Sequence, residues 1–502
     1  MPSVQGTNTS LAASRISIVS SRLSISVLIA FAAALGPLLH LDLVNGAGYH
    51  DNQRIIEIFC VVLSALFGSA SLFMGYGEKR QQLFDRHLLF FLVLFFVLGI
   101  ASAAIAYSTR YAMFEWANFL LLMIMSMIVA TDIAAKGNAL LDRVLLLCMS
   151  GVAVYVSITF IIYIAIFFIG SQPPNDALIF GYSNYRFFNH VQTITLPLLA
   201  LFTIRCNSRK QKIFCWFVIS AWWTLLLVSA GRGTFVGLLA GICVVAVYLR
   251  KDAFPWCRLM LFTALTGLVG YLFFYVLIPM ALGLAPFGFL FSVVKRSIEN
   301  PDSNRWELWT RAWEMIVAHP WLGAGPLHFA HFGRSIQNGA HPHNWILQIA
   351  SEWGIPALLC LVAAIVLAIR KLLMVRQYLV STDTQNHFAL AAWLTIGIAI
   401  LVDSLVSGLI VMPSSQLWIA LYIGCAWGWS VSMTPAQTTG NVRLPVAVRL
   451  CGVIGALVLI YFVCNGLWPE IGDLPFYEEQ SLQRDLYVNP VLRPRIWAGG
   501  YF

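Results

Sequence analysis

Charge is what this sequence has least of. Asp, Glu, Lys and Arg supply 11% of its 502 residues against 59% hydrophobic residues. The mean hydropathy of +0.79 lies far outside the range of a soluble globular domain. No hydrophilic stretch exceeds roughly sixty residues, so there is no room for a separate soluble catalytic domain beside the membrane-length runs. The ten cysteines contain no CxxC pair and none falls between 284 and 343, which excludes a disulfide framework and a thiolate metal or redox site. No HExxH occurs, the histidines 328, 331, 341 and 343 have no carboxylates at ligand spacing, and no outer loop carries a DxD. The sequence therefore predicts no metal and no cofactor. The net charge of +9 is spread over short loops between apolar runs, which argues for membrane orientation and against nucleic acid.

What is present in excess is apolar length. Runs able to cross a hydrocarbon core of about 30 Å lie near 22–44, 55–76, 88–107, 114–133, 144–170, 188–204, 213–230, 233–250, 259–283, 354–370, 387–412, 414–432 and 447–465. The reading is an all-α polytopic membrane protein of about 12–13 transmembrane helices. Its regions are 1–283 (N-terminal helices), 284–353 (one long outer loop), 354–465 (C-terminal helices) and 466–502 (a tail on the outer side). Arg15 and Arg22 precede the first run without a small-residue cleavage site, so that run is expected to stay as an anchor. Alternate connections carry Lys79, Arg80 and Arg86; Lys136 and Arg143; Arg205, Arg209, Lys210 and Lys212; Arg250, Lys251 and Arg258; Arg370, Lys371 and Arg376; Arg443 and Arg449. By the positive-inside rule those connections are cytoplasmic.

Arg186, Arg232, Arg305, Arg311 and Arg334 fall on the opposite side, against that rule. One such arginine is explained by snorkelling or a surface ion pair, whereas several around one loop suit an anionic ligand. In the long loop, 284–301 mixes aromatics with a basic end and reads as interfacial. The stretch 303–325 reads as a short helix capped by Asn304, with Glu307 completing a capping box and pairing with Arg311. Trp306, Trp309, Trp313 and Val317 form its apolar stripe. A second helix begins at His343 with Asn344, Gln348 and Ser351/Glu352 on one face and Trp345, Ile346, Ile349 and Trp353 on the other. Ionisable groups at such a depth are costly and mark a site. His343 has the ordinary pKa for a general base at neutral pH. Asp403, in a late span, needs a neighbouring arginine or a capping hydroxyl. Asn189 and His190 open the sixth span and face the same side.

The set "VSAGRGTFVG" (228–237), "SNRWELWTRAWEMIVAHPWLGAGP" (303–326) and "HPHNWILQIASEWGIPALL" (341–359) resembles the O-antigen ligase and O-antigen polymerase (Wzy-type) superfamily. Its members are bacterial inner-membrane glycosyltransferases that take glycans from undecaprenyl diphosphate on the periplasmic side. The ligase pattern of His, then Asn/Ser/Gln, nine residues, Gly, two residues and Gly/Thr/Tyr is met by His343, Asn344 and Gly354, but the last position departs from it with Ala357. The resemblance implies that Arg232 and Arg305 hold the diphosphate and that His343 is the loop histidine. Arg186 and Arg311 are further candidates for the donor, and Asn344 and Gln348 for sugar binding.

The implied activity is a metal-independent, inverting glycan transfer to an acceptor hydroxyl, with arginine forks stabilising the departing diphosphate. The expected acceptor is lipid A-core, as for an O-antigen ligase. A polymerase or a protein O-oligosaccharyltransferase of the same superfamily is the nearer alternative, and a lipid-linked glycan flippase the more distant one.

Overall fold

The computed structural model describes residues 24–39, 44–73, 85–168, 178–284, 305–336, 339–380, 383–435, 445–483 and 495–497, with residues 291, 295 and 298 between them. Arg15 and Arg22 before the expected anchor, Lys79, Arg80, the Asn304 cap, Arg443 and most of 284–301 lie outside those residues. In chain order the helices are α1 (Ile25–Leu35), α2 (Tyr49–Phe73), α3 (Arg86–Ile105), α4 (Thr109–Lys136), α5 (Asn138–Phe168), α6 (Tyr185–Arg205), α7 (Arg209–Ser229), α8 (Arg232–Leu249) and α9 (Phe254–Leu272). They continue as α10 (Ile278–Ala281), α11 (Arg305–Ala318), α12 (Phe329–Phe332), α13 (Trp345–Trp353), α14 (Ile355–Met374), α15 (Thr384–Asp403), α16 (Pro413–Met433), α17 (Val446–Leu467) and α18 (Leu474–Gln483).

Among the described residues, ten helical segments are long and apolar enough to cross a membrane, and one of them, Arg232–Ala281, contains two of the expected spans. The other two expected spans are the shorter apolar helix Ile25–Leu38 and α16. The protein is a multi-pass, all-helical membrane protein. Helices suit that setting because every backbone N–H and C=O within the hydrocarbon must be satisfied inside its own segment.

One expected boundary is wrong. The run 387–412 is not a single span: its helix stops at Asp403, and residues 404–412 form turns before Pro413 opens α16. "SLVSGLIVM" is apolar enough to look like more span, yet it carries backbone for the cavity described below.

Close approach of helices rests on small residues, because lipid tails offer no hydrophobic drive for apolar helices to associate. In α8, Gly233, Gly237 and Gly241 follow one another every four residues and meet Asp403, Ala399 and Thr395 of α15, spaced the same way. A Cβ on Gly237 would stand 2.7 Å from the Ala399 carbonyl oxygen. Gly424 and Gly428 of α16 seat against Ser126, Val129 and Ala130 of α4 in the same manner. Helices α6, α15 and α16 are buried almost all round and form the centre, while α14 and α17 expose apolar faces at the periphery.

The element order sorts the connections between two ends of the bundle. One end receives the links after α2, α4, α6, α8, α14 and α16, which with their flanking turns carry more than half of the Lys and Arg and nearly all of the Lys. The opposite end receives the links after α1, α3, α5, α7, α10, α15 and α17, and holds the short helices α11 to α13.

The α8–α15 contact yields a stability test. Gly237→Leu is expected to force these helices apart and to lower stability by about 1–3 kcal/mol, as overpacking does, read as a fall in unfolding temperature in detergent. An unchanged unfolding temperature contradicts the packing.

Candidate functional site

At the end of the bundle poor in Lys, three chain segments bring arginines to one cavity of about 580 Å³ including its open mouth. Arg186 comes from the first turn of α6, Arg232 from the start of α8 and Arg305 from the start of α11. Tyr185, Asn189, His190, Ser229, Thr234, Asp403 and Ser407 complete its polar lining. Arg232 is placed by the turn that carries it. The left-handed Ala230 (φ 50°) reverses the chain after α7. The two flanking glycines are required by contact, since a Cβ on Gly231 would strike the Asn189 side chain and one on Gly233 the Asp403 carboxylate. The "GRGT" stretch thus exists because an arginine is held where two helices touch.

Asp403 is the one carboxylate among the described residues that line the cavity. Its Oδ2 accepts from Thr193 Oγ1 at 2.6 Å and from Thr234 Oγ1 at 3.3 Å, so hydroxyls supply the partner it was expected to need. Asn189 Nδ2 donates to Gln192 Oε1 at 3.0 Å and to Ser229 Oγ at 2.6 Å, fixing the wall between α6 and α7. Arg305 Nη2 donates to the Val406 carbonyl at 2.7 Å, which ties the start of α11 to the 404–412 turns. The cavity also receives the N-terminal ends of α6 and α8, whose amide dipoles favour an anion. Among the described residues of the lining, three guanidinium groups stand against one carboxylate, a balance that favours an anion.

His343 stands beside this cavity and is not part of its lining. It lies outside helix α13, which starts at Trp345, and adopts φ 53°. That conformation is costly for a residue with a side chain and is kept only where surroundings impose it. Here the surroundings are explicit. Trp309 Nε1 of α11 donates to the Pro342 carbonyl at 3.0 Å, and the Trp345 N–H donates to the Ser404 carbonyl at 3.0 Å. The His341 ring packs on His343 at 4.0 Å between centroids. Burial, then the charges of Arg186 and Arg305 and the ring of His190, push the His343 pKa down to about 3. It is a neutral imidazole across the physiological range, able to accept a proton.

The other sequence candidates divide. Asn344 caps α13, its Oδ1 accepting from the N–H groups of Ile346 and Leu347 at 3.0 and 3.1 Å, and does not line the cavity. Gln348 is buried, with no hydrogen-bond partner at Nε2. Arg311 lies off the cavity and pairs with Glu314 at 3.2 Å, in place of the expected Glu307. The helix at 303–325 also packs differently than expected. Leu308, Ala312 and Met315 bury against the rest of the outer loop, whereas Trp306, Trp313 and Val317 point outward. His328 uses both ring nitrogens locally: Nδ1 faces the Pro326 carbonyl at 2.9 Å and Nε2 accepts from the Ser108 N–H at 2.9 Å.

Sequence reasoning missed what holds the loop in place. Arg495, 2% exposed, donates from Nη2 to Glu115 Oε1 (2.9 Å) and Glu352 Oε2 (3.2 Å), and from Nη1 to the Ala340 carbonyl (3.4 Å). Its own carbonyl accepts from Arg54. Arg54 Nη1 also donates to Glu57 (2.7 Å) and Gln416 (2.8 Å), and Nη2 to the Val411 carbonyl (3.2 Å). Glu352 further accepts from the Phe329 N–H at 2.8 Å. Charged residues within or bordering apolar runs, Glu57, Glu115 and Arg54, were the available signal; Arg495, far along the chain, gave none.

Residues 215–362, from within α7 to within α14, match the model of a family described as O-Antigen ligase. The matched stretch contains Arg232, Arg305 and His343, while Arg186 and Asp403 join the cavity from outside it. No curated protein matches the chain.

Arg495→Ala removes the guanidinium bonded to two buried carboxylates, Glu115 and Glu352, and breaking a buried pair in this way costs about 3–5 kcal/mol. The expected result is a large fall in unfolding temperature and faster proteolysis at residues 327–344. Unaltered values for both contradict the role given to the cluster.

Proposed function

We propose that this chain, whose residues 215–362 match the model of the O-antigen ligase family, moves a glycan from undecaprenyl diphosphate to the hydroxyl of an acceptor, with lipid A-core as that acceptor. The observation that carries the reading is the convergence of Arg186, Arg232 and Arg305, from three separate segments, on one cavity beside a neutral histidine. The concentration of Lys and Arg at the other end of the bundle supports a bacterial inner-membrane setting in which this cavity opens to the periplasm.

In this mechanism the guanidinium groups of Arg232 and Arg305, with Arg186 beside them, bind the diphosphate. The acceptor hydroxyl attacks the anomeric carbon from the face opposite the diphosphate. Its O–C bond forms as the bond to the diphosphate oxygen breaks, and the electron pair leaves with that oxygen. The configuration inverts, and undecaprenyl diphosphate is released. Forked donors on a departing oxyanion in a partly desolvated site stabilise the transition state more than the ground state.

The hydroxyl proton passes to His343. Part of what depresses this imidazole's pKa is the charge of Arg186 and Arg305. An anionic diphosphate on those arginines offsets that charge and makes the ring a stronger base when the donor is in place. Asn344 and Gln348 support the histidine loop, Asn344 as a helix cap, and Arg311 is assigned no contact with the donor.

The purified protein supplied with a lipid-diphosphate glycan and lipid A-core is expected to release undecaprenyl diphosphate and glycosylate the acceptor. Transfer only to a second lipid-linked repeat unit, or to protein, moves the activity to another branch of the superfamily, and movement of intact donor across liposomes without release overturns the reading. His343→Ala is expected to abolish transfer with donor binding kept. Arg305→Lys, which keeps the charge and loses the fork, should lower the rate at least about tenfold, equivalent to 1.4 kcal/mol; a near-normal rate removes the fork from the mechanism.

The pH profile follows from the lowered pKa. The ring of the free enzyme stays neutral as pH falls through 6.5 and protonates only near 3. The stability that the neutral ring contributes is therefore complete above 6.5 and declines between 6.5 and 3. kcat/KM, which reports the free enzyme, should show no acid limb near pH 6.5 from this residue. A limb there that vanishes in a residually active His343 variant contradicts the assignment.

A further inference from the structure

Helix α11 presents three sectors to three surroundings. At 100° per residue, Leu308, Ala312 and Met315 share one sector, and all three are buried against the outer loop. Glu307, Thr310 and Glu314 occupy a second, exposed and polar sector. The third contains Trp306, Trp313 and Val317, which lie within about 40° of one another and are 70%, 62% and 65% exposed. A helix lying in water with one side packed on protein has two sectors. A third that is large, aromatic and uncovered needs a surrounding that is neither water nor the core.

The chain just beyond α11 shows where that surrounding begins. The Pro320 carbonyl accepts from the Ile355 N–H at 2.9 Å, and the backbone of Trp321 lies against Gly354, so this turn is fastened to the first residues of α14. Trp321 is itself 75% exposed. From that junction the uncovered face of α14 runs along Ile355, Leu359, Val362 and Val366, at i, i+4, i+7 and i+11, in a helix long and apolar enough to span a membrane. The tryptophans therefore continue a lipid-facing surface past the end of the span. Indole, with a broad apolar ring and one N–H donor, favours the boundary between headgroups and acyl chains.

We propose that the α11 face made by Trp306, Trp313 and Val317, together with Trp321, is seated in the outer-leaflet interface of the membrane, with lipid as its partner. Arg305 begins the same helix and lines the arginine-rich cavity. The leaflet thus sets the height of a cavity guanidinium relative to the lipid surface. On the reading that the cavity takes a lipid diphosphate, and only in this consequence resting on it, the donor meets Arg305 with its hydrocarbon chain still in the leaflet.

The test needs no donor and no transfer, so its failure is distinct from failure of the enzymatic reading. Full-length protein labelled with 5-fluorotryptophan is placed in nanodiscs of phosphatidylethanolamine and phosphatidylglycerol, and the 306, 313 and 321 resonances are assigned by single Trp→Phe substitutions. Nitroxide-bearing lipid is expected to broaden all three strongly, well beyond the resonance of the fully buried Trp393. Broadening no greater than that of Trp393 overturns the proposal. In that case strong broadening by a water-soluble gadolinium chelate would place the face in water, and protection from both probes would place it against protein.

Discussion

Charge withdrawn from water has to be matched or expelled, and this fold matches five such groups in one cluster. Arg54 and Arg495 lie among Glu57, Glu115 and Glu352, all almost wholly buried. The five members come from four pieces of the architecture. Arg54 and Glu57 are in α2, Glu115 is in α4, Glu352 closes α13, and Arg495 comes from the tail. Because the two arginines also hold the carbonyls of Ala340 and Val411, the cluster fastens to the bundle both loops that approach the cavity. An isolated buried charge would cost several kcal/mol, so these elements are held in an arrangement in which each of the three carboxylates meets a guanidinium.

On that frame the cavity is assembled from helix ends. The small-residue contact between α8 and α15 brings Arg232 and Asp403 to the same level. Thr193 and Thr234 hold the carboxylate in place. Helix α11 then brings its first residue to the cavity, with Arg305 bonded to the 406 carbonyl and Trp309 bonded to the 342 carbonyl. The arginines and the histidine thus owe their proximity to one short helix and two turns. A neutral imidazole beside fixed guanidinium groups suits proton removal from a hydroxyl and stabilisation of a departing phosphate oxygen in one step.

Much of this was legible in the sequence, for identifiable reasons. Spans show themselves by apolar length, and Arg186, Arg232 and Arg305 showed themselves by breaking the sorting of positive charge. The parts that were not legible involve environments that sequence cannot distinguish. The stripe of Trp306 and Trp313 has the period of a buried face, but lipid and protein core are both apolar, and period alone does not say which is met. Residues 404–412 read as span because hydropathy does not register a helix stop at Asp403. Arg495 reaches Glu115 across 380 positions, and no local pattern announces such a pairing.

The central claim is that Arg186, Arg232 and Arg305 form one seat for the diphosphate of a lipid-linked glycan. The most direct measurement is a structure of the protein in lipid with such a donor bound. The account predicts both phosphates among those three guanidinium groups, with the anomeric carbon turned toward His343. Phosphates bound elsewhere on the molecule, with the three arginines left out of contact, would contradict it.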